Sequence, residues 1–96
     1  MSETPVERPG GELSFDTVPS WHRTSGTWFR DRPALRIDLA GITRADGAGL
    51  ALMIEWLRLG QAAGCKVELA NMPEQVARVV RVNGLAEALG LPPLTR

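Results

Sequence analysis

The stretch from Leu35 to Gly60, LRIDLAGITRADGAGLALMIEWLRLG, changes its hydrophobic period once. That change restricts what the rest of the chain can build. Leu35, Ile37 and Leu39 alternate with Arg36 and Asp38, the period of two of a β-strand. Gly41 to Asp46 breaks the alternation as a tight polar turn. Leu50, Ile54 and Leu57, with Met53 beside them, then recur at helical spacing. Asp46-Gly47 has the composition of a two-residue hairpin turn, yet the residues after it lack a strand period. Asp46 is therefore read as the helix N-cap, its carboxylate accepting free backbone N–H groups at the positive end of the helix dipole. Strand, turn and helix are the expected order.

The flanking sequence extends this unit. Met1 to Gly10, MSETPVERPG, has little apolar surface and two prolines, the composition of a disordered tail. Glu12 to Val18 reads as a short strand with Leu13 and Phe15 on one face. Thr17 to Arg32 carries no clear period. Trp21, Trp28 and Phe29 supply apolar contacts around the weak helical centre Ser25-Gly26. After the long helix, Gly64 is placed as a left-handed cap. Cys65 to Ala70 forms the next strand, with Cys65, Val67 and Leu69 opposite Lys66 and Glu68. Pro73 then starts a helix over about Glu74 to Val82, with Val76, Val79 and Val80 inward. Asn83-Gly84 ends it, and Leu85 to Leu89 makes a last short helix before Pro92-Pro93. Strand, helix and strand with short links imply a parallel crossover. The fold class is α/β, one small sheet with helices packed against it.

The segment IDLAGITRADGAGLALMIEWLR resembles the signature of STAS domains, the fold of anti-sigma-factor antagonists and sulfate-transporter tails. It is most similar to the cytoplasmic STAS subunit, MlaB, of Mla-type phospholipid-transport ABC systems. The core of the likeness is Asp46, Ala48, Gly49 and Leu50 in the pattern Asp-x-Ala-Gly-Leu. The resemblance covers roughly Gly11 to Leu91, where it implies a STAS domain with a small mixed sheet over 11–91 and a helix starting near Thr17 with Pro19 in its first turn; composition leaves a tail over 1–10 and, after Pro92-Pro93, another over 92–96. The family's usual edge strand before Gly11 is expected to be absent or irregular. The family places Ser or Thr directly after the Asp, as phosphoacceptor or contact residue, and here that residue is Gly47.

Composition narrows the function. The chain has 96 residues, enough for one compact domain with a modest core. Eleven basic residues balance eleven acidic ones without a block of either sign, which argues against nucleic acid as the main partner. The single cysteine, Cys65, has no internal disulfide partner and fits a reducing compartment. Its apolar strand argues for an inert packed thiol. The N-terminus lacks the basic-then-apolar pattern of a signal peptide, and Glu55 and Arg58 interrupt the one long apolar stretch. A cytoplasmic protein that reaches a membrane only through a partner is the expectation.

Reactive groups are sparse. GITRADGAG lacks the Gly-Lys-Ser/Thr ending of a phosphate-binding P-loop. His22 has no second ligand at metal spacing, and no Ser or Cys has a base beside it. Asp38 and Asp46 fall close together, a pair that suits cation binding or acid–base work. A capping residue and a strand residue bonded to the turn explain them as well. No catalysis, cofactor or metal is expected.

The long helix is apolar on two sides. Behind its core stripe runs a second one, Leu52, Trp56 and Leu59, leaving Glu55, Arg58 and Gln61 as a narrow polar seam. Such a helix is either buried between layers or carries a face awaiting a partner. Trp is enriched at interface hot spots, so Trp56 and Leu52, with Thr43, Arg44, Asp46, Gly47 and Gly49 of the adjoining turn, form the candidate partner-binding surface. The resemblance makes that partner the ATPase subunit of a phospholipid-transport ABC complex. The alternative is an anti-sigma antagonist switch, which requires a phosphorylatable side chain in the turn. Thr43 is the hydroxyl available there, outside the family's usual position.

Overall fold

The computed structural model describes residues 3–91. The expected C-terminal tail, 92–96, lies outside the described residues. Strand β1 is Val6–Glu7, β2 Gly11–Leu13, β3 Ala34–Asp38, β4 Ile42–Ala45 and β5 Lys66–Ala70. Helix α1 spans Val18–Ser25, α2 Gly47–Ala62 and α3 Glu74–Val82. β3 lies at the centre of a three-stranded sheet in the order β1-β3-β5, and β2 pairs with β4 in a second ladder. Each of these pairings is parallel. β3 and β5 run in register from Ala34 opposite Lys66 to Asp38 opposite Ala70. Parallel strands need a crossover between them, and α2 supplies it between β3–β4 and β5.

The strand, helix and capping signals of the central stretch produce the elements they encode. Leu35, Ile37 and Leu39 are fully buried. Gly64 takes φ +72°, a conformation open to glycine, just past the end of α2. Pro73 occupies the cap position of α3, and Val76 and Val80 point into the core.

Four local readings change. Val6–Glu7 is an edge strand where a disordered tail is expected. An edge strand needs only one ladder, so flanking prolines are tolerated. The Pro5 carbonyl accepts the Arg36 N–H at 2.9 Å, Arg32 pairs with Glu7 at 3.0 Å, and Pro9 is buried. The expected turn from Gly41 to Asp46 contains β4, with Ile42 and Ala45 buried and Thr43 and Arg44 exposed. Its ladder with β2 shifts register between Gly11 and Glu12, so simple alternation is lost. β2 ends at Leu13, and the chain turns at Ser14, whose carbonyl accepts both the Thr17 and Val18 N–H groups. Leu85 to Leu89 is a series of turns closed by the Leu89 N–H on the Leu85 carbonyl, without a helix.

Helix α2 sits unusually close to the strands beneath it. A Cβ on Gly49 would overlap the Leu13 carbonyl group, its carbon lying 2.8 Å away. A Cβ on Gly60 would overlap the Val67 side chain and fall 2.9 Å from the Cys65 carbonyl oxygen. The two glycines lie about three helical turns apart, so they share a face. One lets the helix down onto β2, the other onto β5.

Gly49→Ala should therefore destabilise by ~3 kcal/mol or more, since its clash is with backbone, which cannot rotate away. Gly47→Ala, with nothing within 4 Å of the added carbon, should leave the melting temperature unchanged or slightly raised. Thermal unfolding of the two variants checks the contrast; equal effects would contradict it.

Candidate functional site

The first turn of α2 and the β2–α1 loop meet at Asp46. Its backbone is extended, as a capping residue requires, and Oδ1 accepts the Gly49 N–H at 3.1 Å. Oδ2 accepts the Phe15 N–H at 3.0 Å, from a residue remote in sequence. The Asp46 N–H donates to the Leu13 carbonyl at 3.2 Å, and the Asp46 carbonyl accepts from Leu50 at 3.0 Å. One residue thus starts the helix and fastens a neighbouring loop to it. These bonds hold the carboxyl below the usual carboxylate range, the Phe15 N–H contributing most and the Gly49 N–H next, with Ala48 and Arg44 adding less.

The loop itself is tightly bonded. Ser14 N–H donates to Thr17 Oγ1 at 2.9 Å, and that hydroxyl donates to the Glu12 carbonyl at 2.8 Å. Phe15 nevertheless turns its ring to solvent and is 79 % exposed. Asp16 beside it is exposed as well, as is Gly47 at the first helical position. The exposed α2 positions continue from Gly47 to Ala51 and Ile54, one helical face.

The expected partner-binding residues divide. Thr43, Arg44 and Gly47 are exposed, and Asp46 is half-buried. The Thr43 carbonyl accepts from Gln75 of α3 at 3.1 Å, leaving its side chain outside. Arg44 pairs with Glu12 across β2 and β4 at 2.9 Å, an exposed ion pair of small energetic weight. Gly49, Leu52 and Trp56 are buried and belong to packing. Trp56 is 0 % exposed, its ring 5.4 Å from that of Trp28, which also contacts Trp21 and Phe29. Of the second stripe, Leu52 and Trp56 are thus internal and Leu59 half-buried, with α1 and the aromatic segment after it packed on α2. Ile54, expected in the core, is 36 % exposed instead. The helix is apolar on two sides because it is buried on two sides.

Asp38 and Asp46 hold separate partners. Asp38 accepts from the Ala40 N–H at 3.0 Å and Asn71 Nδ2 at 3.1 Å, with Arg8 at 3.6 Å. The Ala40 N–H, then Asn71, keep its carboxyl low. Among the described residues no three His, Cys, Asp or Glu side chains are grouped to hold a metal ion. Cys65 is buried, and burial pushes its thiol up, away from the reactive thiolate. His22 lies exposed on α1. A groove of about 690 Å³ runs along β5, between Leu57, Val67 and the Glu87–Gly90 turn, and shares no lining residue with the α2 turn.

Sequence reasoning misplaces Phe15 as well. Its alternation with Leu13 imitates a buried strand position. The turn signal Asp16-Thr17-Val18-Pro19 immediately after it marks a strand that has already ended.

Comparison with solved structures defines the class. The fold matches a sulfate transporter family protein from Wolinella succinogenes with a TM-score of 0.74 at 14 % identity, over 91 % of this chain and 71 % of that one. It matches the anti-sigma factor antagonist SpoIIAA in its unphosphorylated form at 0.70 and 20 % identity, over 100 % of this chain and 85 % of that one. A structure described as Mglu matches at 0.53 and 27 % identity over 74 % of this chain, which spans 18 % of that protein. The architecture is that of a STAS domain. The family profile described as "Mlab, STAS domain" matches residues 4–93, and the chain belongs to that family. No curated protein matches the chain. No helix among the described residues is long and apolar enough to cross a membrane.

Asp46 gives a signed pH dependence. A carboxyl with a lowered folded-state pKa stabilises the fold above its unfolded value of about 3.9, and loses that contribution as pH falls through the folded value. Asp46→Ala should lower the melting temperature by several degrees at pH 7, and its gap from wild type should narrow below about pH 4. Melting curves from neutral pH down to about pH 2 check this. A gap that stays unchanged at the acid end would exclude the charged cap as the cause.

Proposed function

We propose that this STAS domain is a non-catalytic accessory subunit of a phospholipid-transport ABC complex. It binds the cytoplasmic ATPase and supports the assembly or activity of a machine that maintains lipid asymmetry. The observation that carries the reading is the match of residues 4–93 to the MlaB-type STAS family. The exposed start of α2 supports it, because a preformed helix end and a bonded loop lose little freedom on docking. The working surface in this reading is Thr43, Arg44 and Gly47, held in place by Asp46, and membrane association comes through the partner.

The likeness to SpoIIAA keeps a second reading in view, that of an anti-sigma antagonist switch. Phosphate at a helix start alters an interface through its charge. Gly47, the exposed residue after the capping Asp46, has no hydroxyl to carry it. Thr43 is exposed one strand earlier, on β4.

Affinity purification of the tagged chain from its host, with intact-mass measurement, separates the readings. Co-elution of an ABC ATPase and its permease with an unmodified chain is expected. A kinase and a sigma-factor regulator, or stoichiometric phosphate on Thr43, would establish the switch instead.

A further inference from the structure

We infer that Phe15 is the anchor by which this domain engages the ATPase, and that Asp46 positions it. This inference rests on the ATPase reading above and adds to it a residue outside the α2 turn. The described residues include three large apolar side chains that are notably exposed: Phe15 at 79 %, Val82 at 82 % and Ile54 at 36 %. Ile54 and Val82 lie on α2 and α3, whose hydrogen bonds order their backbones; Phe15, the one aromatic ring of the three, is ordered outside any helix or strand. Its N–H is bonded to Asp46 Oδ2, the preceding Ser14 N–H to Thr17 Oγ1, and the Thr17 and Val18 N–H groups beyond it to the Ser14 carbonyl. A loop fixed at both sides of the residue presents the ring to water with its backbone already ordered.

An aromatic ring held this way buries a large apolar area on docking while only its side-chain torsions remain to be fixed. The Phe15 backbone lies beside the α2 start, because the bond from its N–H to Asp46 ties the two segments together. The exposed Asp16 and the Asp46 carboxylate give the surroundings a negative sign, while Arg44 is engaged by Glu12. The complementary surface on the ATPase is therefore an apolar socket with a basic rim. Asp46 acts on that contact through Phe15: without the Oδ2 bond the loop keeps its sequence but loses the tie that holds the Phe15 backbone at the helix start.

The test measures binding of the full chain to the purified ATPase subunit of the host's phospholipid transporter, together with melting temperature. Phe15→Ala should weaken binding at least tenfold at an unchanged melting temperature, and Phe15→Trp should restore most of the affinity. Val82→Ser, which removes an equally exposed apolar side chain from the end of α3, should bind as wild type does. Asp46→Asn keeps one side-chain oxygen for the Gly49 N–H and cannot cap both donors. It should weaken binding less than Phe15→Ala, and the double variant should be no weaker than Phe15→Ala alone. Wild-type binding with Phe15→Ala equally tight would overturn the anchor and leave the ATPase reading standing. No wild-type binding would overturn both. A Phe15→Ala chain that melts early would make the ring structural and overturn the anchor, and additive losses in the double variant would overturn the positioning role of Asp46.

Discussion

The close approach of α2 to the strands beneath it is the constraint on which the remaining structure depends. Gly49 and Gly60 set that approach at its two ends, one against the Leu13 carbonyl and the other against Val67 and the Cys65 carbonyl. With the helix that low, Leu50 and Met53 fill the space over the sheet. Trp56 is then turned toward Trp28, and Leu52 is buried in the same core. The helix has little apolar surface left for its outer face, where Ala51 and Ile54 remain. Its N-terminus is delivered beside the end of β2, and this makes the shared carboxylate of Asp46 possible.

Asp46 connects that packing to the proposed docking surface. A capping residue ordinarily satisfies donors of its own helix. Here one oxygen does so, and the other takes the N–H of Phe15 from a loop that arrives from β2. The result is a small, ordered, weakly acidic surface made of the loop, the exposed Gly47 and the outer face of α2. Asp38 does comparable work at another strand end, joining the β3–β4 link to Asn71 and Arg8. Both acids are structural fasteners with separate partners. Their nearness in sequence suggests a pair, but the donors around each one decide their roles.

Much of this is legible in the sequence because local signals agree with the fold. Leu35, Ile37 and Leu39 alternate, Asp46 caps, Gly64 ends a helix, and Val76 and Val80 repeat at helical spacing. The Asp-x-Ala-Gly-Leu signature points to the STAS family that the profile match establishes. The misreadings come where the burial of a residue depends on remote chain. Trp56 looks available for a partner because nothing near it in sequence covers it; the cover is Trp28, well upstream. Ile54 has helical core spacing, yet it falls on the outer edge once the glycines fix the helix rotation. β1 has only two residues and no hydrophobic pattern, so its strand character exists only in its pairing with β3. Phe15 mimics a strand position, and only its long-range bond to Asp46 shows why it is held outside.

The central claim is that partner engagement occurs at the joined β2–α1 loop and α2 start, and not at the aromatic stripe or the β5 groove. Amide hydrogen exchange of the domain, free and bound to the ATPase, measures it most directly. Slower exchange on binding is expected at Ser14 to Asp16 and from Asp46 to Ala51, with Lys66 to Ala70 and Glu87 to Gly90 unchanged. Protection confined to β5 and the Glu87–Gly90 turn, with the Phe15 loop unaffected, would contradict it.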